Sequence, residues 1–283
     1  MALTLVVAGY TDHGGKSALV GALGLAGPDA ADLVAADRRP LRVIDPAGPD
    51  ELLDVLLAAG PLGVDAHLLV APADEEISAQ TREQAALLRA FGIDSGLAVV
   101  TRAEVADPAG VLREIGRLVP STQAHAVTLE TGDGVDALRS GLAGLLAGLP
   151  ARLPHPAARF AGEGPPPETR VIDAALDFGP DREREPEHGA RVVVALGGVL
   201  VPARLHRLGG RFWQVRLDRP LRAAPGDRLV VRRADPPATL GGGVVLDPAA
   251  SRHPTSNEVI VRLTRISRGQ PPLPPDPRRP ARR

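Results

Sequence analysis

The stretch Val6–Leu19 reads Val-Val-Ala-Gly-Tyr-Thr-Asp-His-Gly-Gly-Lys-Ser-Ala-Leu, and Gly9, Asp12, His13, Gly14, Gly15, Lys16 and Ser17 are the residues best suited to chemistry. A glycine-rich loop leaving a strand can turn its backbone N–H groups toward phosphates, and the helix after it adds a favourable dipole. Lys16 would then reach the β- and γ-phosphates of a nucleotide, and the Ser17 hydroxyl would ligate Mg²⁺. The spacing departs from the usual loop by one residue. Four residues separate Gly9 from Gly14, yet Gly15 intervenes before Lys16; counted back from Gly15, Tyr10 stands where a glycine is expected. A glycine-rich turn holding no ligand is the alternative. Lys16 is the single lysine of the chain, so a composition that uses Arg everywhere else keeps its lysine at this position.

The elements that must position these residues alternate in type. Residues 3–8 read as a buried strand and Ser17–Leu25 as a helix. Strand and helix patterns then follow each other: Leu41–Ile44, Pro49–Ala59, Ala66–Val70, Ser78–Phe91, Gly96–Val100, Val111–Val119, Ala124–Thr128 and Val135–Leu149. Such alternation predicts an α/β fold with a parallel sheet covered on both faces. Residues 150–168 are rich in Pro, Gly and Ala and read as a linker. Short β-rich runs at Arg170–Phe178, Ala190–Leu196, Val199–Leu208, Phe212–Leu217, Asp227–Arg233 and Gly243–Leu246 predict a small antiparallel barrel or sandwich, with Gly209-Gly210 as a hairpin turn. The expected domains are therefore 1–149 and 169–250, with 251–283 a largely disordered tail rich in Pro and Arg.

Composition narrows the classes. There is no cysteine, which excludes disulfides and thiolate metal sites and suits a reducing cytoplasm. The seven His show no metal-ligand spacing, no apolar run approaches membrane-spanning length, and no secretion signal is read at the N-terminus. The net charge of −1 conceals a division: residues 1–150 hold 20 Asp/Glu against 10 Lys/Arg, and residues 151–283 hold 14 against 23. A polyanion would meet the second half; an ordinary solvated surface is the other reading. Phe212 and Trp213 with Arg211 and Arg216 could stack on a base, or could simply be core residues of an alternating strand. Asp74, Glu75 and Glu76 precede a helix and read as complements to its dipole rather than as a metal site.

Several of these segments carry a resemblance. Ala-Gly-Tyr-Thr-Asp-His-Gly-Gly-Lys-Ser at 8–17 resembles the phosphate loop of translational GTPases with one Gly inserted, and Val-Ile-Asp-Pro-Ala-Gly at 43–48 resembles their Asp-x-Pro-Gly-His element. Residues 79–92 are similar to the family's Gln-Thr-Arg-Glu-His helix. Residues 226–248, closing on Gly-Gly-Gly-Val-Val-Leu-Asp-Pro, are similar to the third domain of selenocysteine-specific elongation factors. The resemblance implies binding of GTP or GDP with Mg²⁺, with Asp45 beside the cation and Gly48 offering its N–H to the γ-phosphate. It also places Thr101, Arg102 and Glu104 at the guanine-recognition position, where the family has Lys and Asp for the last two. Thr128–Gly132 stands at the last base-contacting loop. A tRNA or the ribosome is the implied partner of the basic half.

The departures bear on mechanism. Pro49 stands where the family has its catalytic His, and Pro can neither donate nor accept a proton there. No Ser or Thr occurs between Ser17 and Ser78, so the family's first switch threonine is missing and the switch reads as deleted. Water positioning and phosphate closure are much of what such a protein contributes to phosphoryl transfer, so slow or absent hydrolysis is expected. The linker joins the two domains directly where the family has a middle barrel, and the winged-helix repeats of bacterial members are expected to be absent. A pseudo-GTPase acting as a binding or scaffold module, and a P-loop protein using ATP, are the other readings.

Overall fold

The computed structural model describes residues 3–9, 15–25, 40–59, 63–119, 123–149, 155–162, 164–179 and 185–272. The sequence expectation of Asp12, His13 and Gly14 as phosphate-binding residues, and of a deleted first switch before Leu41, falls outside them.

The first half is a five-stranded parallel sheet of order β2-β1-β3-β4-β5, formed by β1 (Leu3–Gly9), β2 (Leu41–Ile44), β3 (Ala66–Pro72), β4 (Gly96–Thr101) and β5 (Gln123–Ala126). Strand side chains alternate between faces, and here both faces are apolar. Leu5 and Val7 of β1, Leu68 and Val70 of β3, and Leu97 and Val99 of β4 pack with helices α1 (Gly15–Ala22) and α5 (Val135–Gly148). Val6, Ala8, Leu69, Ala71, Ala98 and Val100 face the other way. They meet α2 (Pro49–Ala59), α3 (Ala79–Ala90) and α4 (Ala109–Leu118). One residue of difference in register sends a side chain to a different set of helices, which is why these strands read as continuous apolar runs.

The second half is a closed six-stranded antiparallel barrel of order β10-β11-β6-β9-β8-β7. Its strands are β6 (Glu168–Asp177), β7 (Arg191–Leu196), β8 (Val199–Gly209), β9 (Phe212–Arg222), β10 (Arg228–Arg233) and β11 (Ala238–Asp247). Trp213 is 1% exposed, meets Phe178 edge-on with ring centroids 5.5 Å apart, and fills the interior with Ile172, Val194 and Val215. Phe212 is buried beside it in sequence, so both rings are core and neither offers a face to a base.

Two expectations change. The 150–168 segment contains a 3-10 turn at Pro156–Phe160, and its Ala157 is fully buried. The expected disordered tail begins with a helix, α6 (Asn257–Ser267), whose Leu263 and Ile266 close over Ala157, Leu208, Phe212 and Leu246. Apolar residues at 259, 260, 263 and 266 have helical spacing, and Ser256 caps the first turn by accepting from the Val259 N–H at 3.3 Å. The barrel needs this cover because Phe212 and Leu246 lie outside its interior cluster.

The barrel docks on α3. Glycines 241–243 make this possible: a Cβ on Gly242 would lie 2.6 Å from the Ala90 carbonyl oxygen, and one on Gly243 would lie 1.9 Å from that of Ala175. Strand β11 is thus pressed between the end of α3 and the backbone of β6. Glu83 of α3 fastens the contact. Its carboxylate accepts from the Thr239 N–H at 2.8 and 2.9 Å and from the Thr239 hydroxyl at 2.7 Å. It also pairs with Arg232 at 3.4 Å, and the Arg232 guanidinium lies 3.8 Å from Asp50 of α2.

Candidate functional site

The carboxyl ends of β1, β2, β3 and β4 bring together the residues read from the sequence, as is usual for ligand sites on open parallel sheets. Strand β1 ends at Gly9, whose φ of +115° favours glycine and whose Cβ would lie 2.0 Å from the Val70 carbonyl oxygen. The Gly9 N–H is also taken by the Gln84 side-chain carbonyl of α3. No other residue lets β1 turn so close to β3 at this point.

Helix α1 begins at Gly15 and places Lys16 inward, 4% exposed. The Lys16 Nζ sits 2.9 Å from Asp45 Oδ1 and donates to the Pro46 carbonyl. Ser17 Oγ donates to the other Asp45 oxygen at 3.0 Å. Twenty-eight residues apart in sequence, Ser17 and Asp45 therefore face each other directly. After Asp45 the chain turns through Ala47 and Gly48 into α2, with Pro49 as its first residue. Glu51 accepts from the Ala47 N–H at 2.7 Å, and Gln80 donates to the Ala47 carbonyl at 3.4 Å. Pro49 suits a first helical position, where its missing N–H would have had no partner. It brings no proton-transfer group to the turn.

The other side of the site is a cavity of about 620 Å³ against Gly15, Pro72, Asp74, Thr101, Arg102 and Glu104. Thr101 is the last residue of β4 and is buried. Arg102 follows with a φ of +59°, a left-handed conformation uncommon for a residue with a Cβ. Its guanidinium lies 2.8 Å from Asp74 and 3.5 Å from Glu75. This corrects the expected role of that acidic run: helix α3 has no acidic residue in its first turn and is capped by the Ser78 hydroxyl, while Asp74 and Glu75 serve the β4 turn. Leu129 and Glu130, from the segment read as the last base-contacting loop, also line the cavity.

Gly9, Gly15, Lys16, Ser17, Asp45, Gly48, Thr101, Arg102 and Glu104 thus all lie at the strand ends, in two groups: Lys16–Ser17–Asp45 on one side, and Thr101–Arg102–Glu104 on the cavity side. Sequence reasoning missed Gln84 on Gly9 and Asp74 on Arg102. Asp74–Arg102 joins two strand-end turns, a pairing that no local pattern signals.

Residues 183–252 match the family model of the selenocysteine-specific elongation factor β-barrel domain. A selenocysteine-specific elongation factor from Haemophilus influenzae is 28% identical over 165 residues, covering 50% of this chain and 26% of its own length. The chain therefore spans about a quarter of that relative. Elongation factor SelB from Methanococcus maripaludis superposes with a TM-score of 0.63 at 16% identity, over 88% of this chain and 80% of that one; its complex with the GTP analogue GppNHp gives the same values. A bacterial selenocysteine-specific elongation factor gives 0.66 at 16% identity, over 94% of this chain and 62% of that one. The structural likenesses establish the fold, and the family-model match concerns the barrel alone. The chain is similar to the selenocysteine-specific elongation factors, by sequence in its barrel and over those 165 residues, and by fold over most of its length.

Proposed function

We propose that the chain binds a guanine nucleotide with Mg²⁺ at the strand-end site, as a reduced translation-factor-like protein of the cytoplasm whose GTP hydrolysis is slow or lost. The observation that carries this reading is the convergence of Lys16, Ser17 and Asp45, with the single lysine of the chain buried at the start of α1. Asp45 pairs with Lys16. A triphosphate would compete for that ammonium, releasing Asp45 toward the cation. Ser17 and Asp45 are hard oxygen donors that already face each other, the donor type Mg²⁺ prefers, with few protein ligands needed. When bound, Mg²⁺ would neutralise phosphate charge. Gly48 would offer a backbone N–H, and Glu104 could accept from the guanine edge. The basic second half would meet RNA, a tRNA or the ribosome, which matches its charge.

Two observations favour a second reading, a scaffold that uses no nucleotide. Lys16 is satisfied internally by Asp45 and Pro46, and Arg102 by Asp74 and Glu75. Pro49 itself brings no proton-transfer group to the turn.

Titration with fluorescent GTP and ATP analogues separates the readings. Tight GTP binding that is lost in Lys16→Ala is expected. No binding of either nucleotide would establish the scaffold, and a preference for ATP would overturn the guanine assignment. Single-turnover hydrolysis at a normal translation-factor rate would sink the claim of slow turnover.

A further inference from the structure

Between α3, α4 and the barrel lies a cavity of about 300 Å³ with walls from both halves of the chain. Helix α3 contributes Arg82, Ala85, Ala86 and Arg89, which recur at helical spacing on one side, while Leu87 and Leu88 turn into the core. The end of α4 adds Arg117 and Leu118, the end of β6 and the turn after it add Asp177 and Phe178, and β11 adds Leu240. The two alanines leave open a space that longer side chains on α3 would close against the barrel. The wall opposite the arginines is apolar.

Three guanidinium groups line this cavity, and only one has a partner among the described residues. Arg82 pairs with Glu114 of α4. Arg89 and Arg117 have no ion pair and no side-chain hydrogen bond among the described residues. Asp177 is the one carboxylate of the described lining residues, and it is turned to its own loop, where Oδ1 accepts from the Gly179 N–H at 2.8 Å. Arg89 lies flat against Gly179: a Cβ there would be 2.8 Å from a guanidinium nitrogen, and the φ of +79° also favours glycine. Arg89 is half-buried, so its charge has lost part of its hydration without gaining a partner. A bound anion would remove that cost, and an apolar body on the same molecule would cover Leu118, Phe178 and Leu240.

We propose that this cavity binds a small monocarboxylate with an apolar body, its carboxylate on Arg89 and Arg117. A mostly apolar cavity of this size with a few placed polar groups is the usual form of a small-molecule site. Guanidinium groups take carboxylate oxygens in pairs. A sugar phosphate or polyphosphate fits worse, because its remaining oxygens would lose water against the apolar wall. The cavity shares no residue with Lys16, Ser17 and Asp45 or with the cavity beside Glu104, so the inference does not depend on nucleotide binding. Because the walls come from both halves, a bound carboxylate favours their docked arrangement.

The test is titration of the full chain with octanoate and with phenylpropionate, read by saturation-transfer NMR, with octanol and acetate as controls. At least one of the two carboxylates should bind saturably with a Kd of about 1 mM or tighter, and octanol and acetate at least about tenfold more weakly. Arg89→Gln with Arg117→Gln should weaken carboxylate binding at least about tenfold and abolish the preference over octanol. Arg117→Gln alone, an exposed change, should weaken it about threefold with unaltered melting. Ala86→Phe should fill the cavity from a half-exposed helix position and abolish binding, whereas Lys16→Ala should bind as wild type does. The bound carboxylate should also slow amide exchange at Thr239 and in α3. A folded wild-type chain that binds neither carboxylate overturns the proposal, as does unchanged affinity in the double variant. Octanol bound as tightly as octanoate overturns the role of the two arginines. Binding lost in Lys16→Ala would move the ligand to the strand-end site and overturn this cavity.

Discussion

Replacing Glu83 by Ala should loosen the junction between the α/β half and the barrel. Its side chain is 18% exposed and that of Arg232 is 11% exposed, so both sit largely out of water. The substitution removes the acceptor for the Thr239 N–H and hydroxyl, at 2.7–2.9 Å, each a hydrogen bond to a charged group worth about 1.5–3 kcal/mol. It also leaves Arg232 with only Asp50, 3.8 Å away on a carboxylate that is 94% exposed, and the Arg232 Nε has no partner among the described residues. Stranding one member of a buried pair costs about 3–5 kcal/mol, and these contributions overlap rather than add. The expected loss is therefore about 3–5 kcal/mol, against about 1–2 kcal/mol for Glu83→Gln, which keeps the shape and one acceptor oxygen. Urea unfolding followed by amide hydrogen exchange reads both parts: the variant should lose protection at Thr239 and in α3 before either core opens. Because Asp50 lies just past Gly48, nucleotide affinity should shift in the same variant. Unchanged Thr239 protection with stability within about 1 kcal/mol of wild type would show that glycine-rich backbone packing alone holds the halves together.

Three further outcomes are expected. His67 is fully buried in β3, neither ring nitrogen makes a well-formed hydrogen bond, and burial lowers its pKa to about 4, only slightly offset by the backbone at Ile93. The unfolded chain takes up that proton at the ordinary 6.5, so stability falls as pH drops from 6.5 to 4, by about 3 kcal/mol in all. In His67→Leu this slope should vanish from the difference between urea curves at the two pH values, and an identical slope would refute it. Gly243→Ala should reduce stability by at least about 3 kcal/mol, because a Cβ 1.9 Å from the Ala175 carbonyl forces β11 off β6; melting within a few degrees of wild type would contradict this. Asp45→Asn should weaken Mg²⁺-dependent nucleotide binding about tenfold or more while leaving metal-free binding less affected, and equal losses with and without Mg²⁺ would remove Asp45 from the cation.

What could be read in advance was what a short stretch can express. Strands β1, β3 and β4 are apolar on both faces, so their burial between helix layers was visible in Val6, Val7, Leu68, Leu69, Ala98 and Val99. Lys16 and Asp45 were legible because a glycine loop and a strand-ending turn each leave a local mark. Helix α6 was also legible in principle, since Ser256 and the spacing of Val259, Leu263 and Ile266 meet the usual rules, although residues rich in Pro and Arg follow directly. The three glycines of β11 stood out as a family marker, but their reason lies in Ala90 and Ala175, on elements far away in sequence.

The contacts that join the halves obey a different logic. Glu83 reads as an ordinary residue on a helix, and its partner Thr239 lies 156 residues further on. Asp173 is an acidic residue inside a strand, a position that local propensity disfavours. It is tolerated because His253, Arg262 and Gln214 all reach it. Locally unfavourable residues of this kind are the places where the tertiary structure imposes its own requirement. In this chain they fall at the domain junction and where α6 meets the barrel, while the strand-end site is built from residues whose neighbours in sequence already announce them. The junction contacts and Asp173 should resist substitution, because their partners are structural and do not depend on nucleotide turnover. Saturation mutagenesis scored by folding should therefore find Glu83 and Asp173 less replaceable than Glu104 or Gly48.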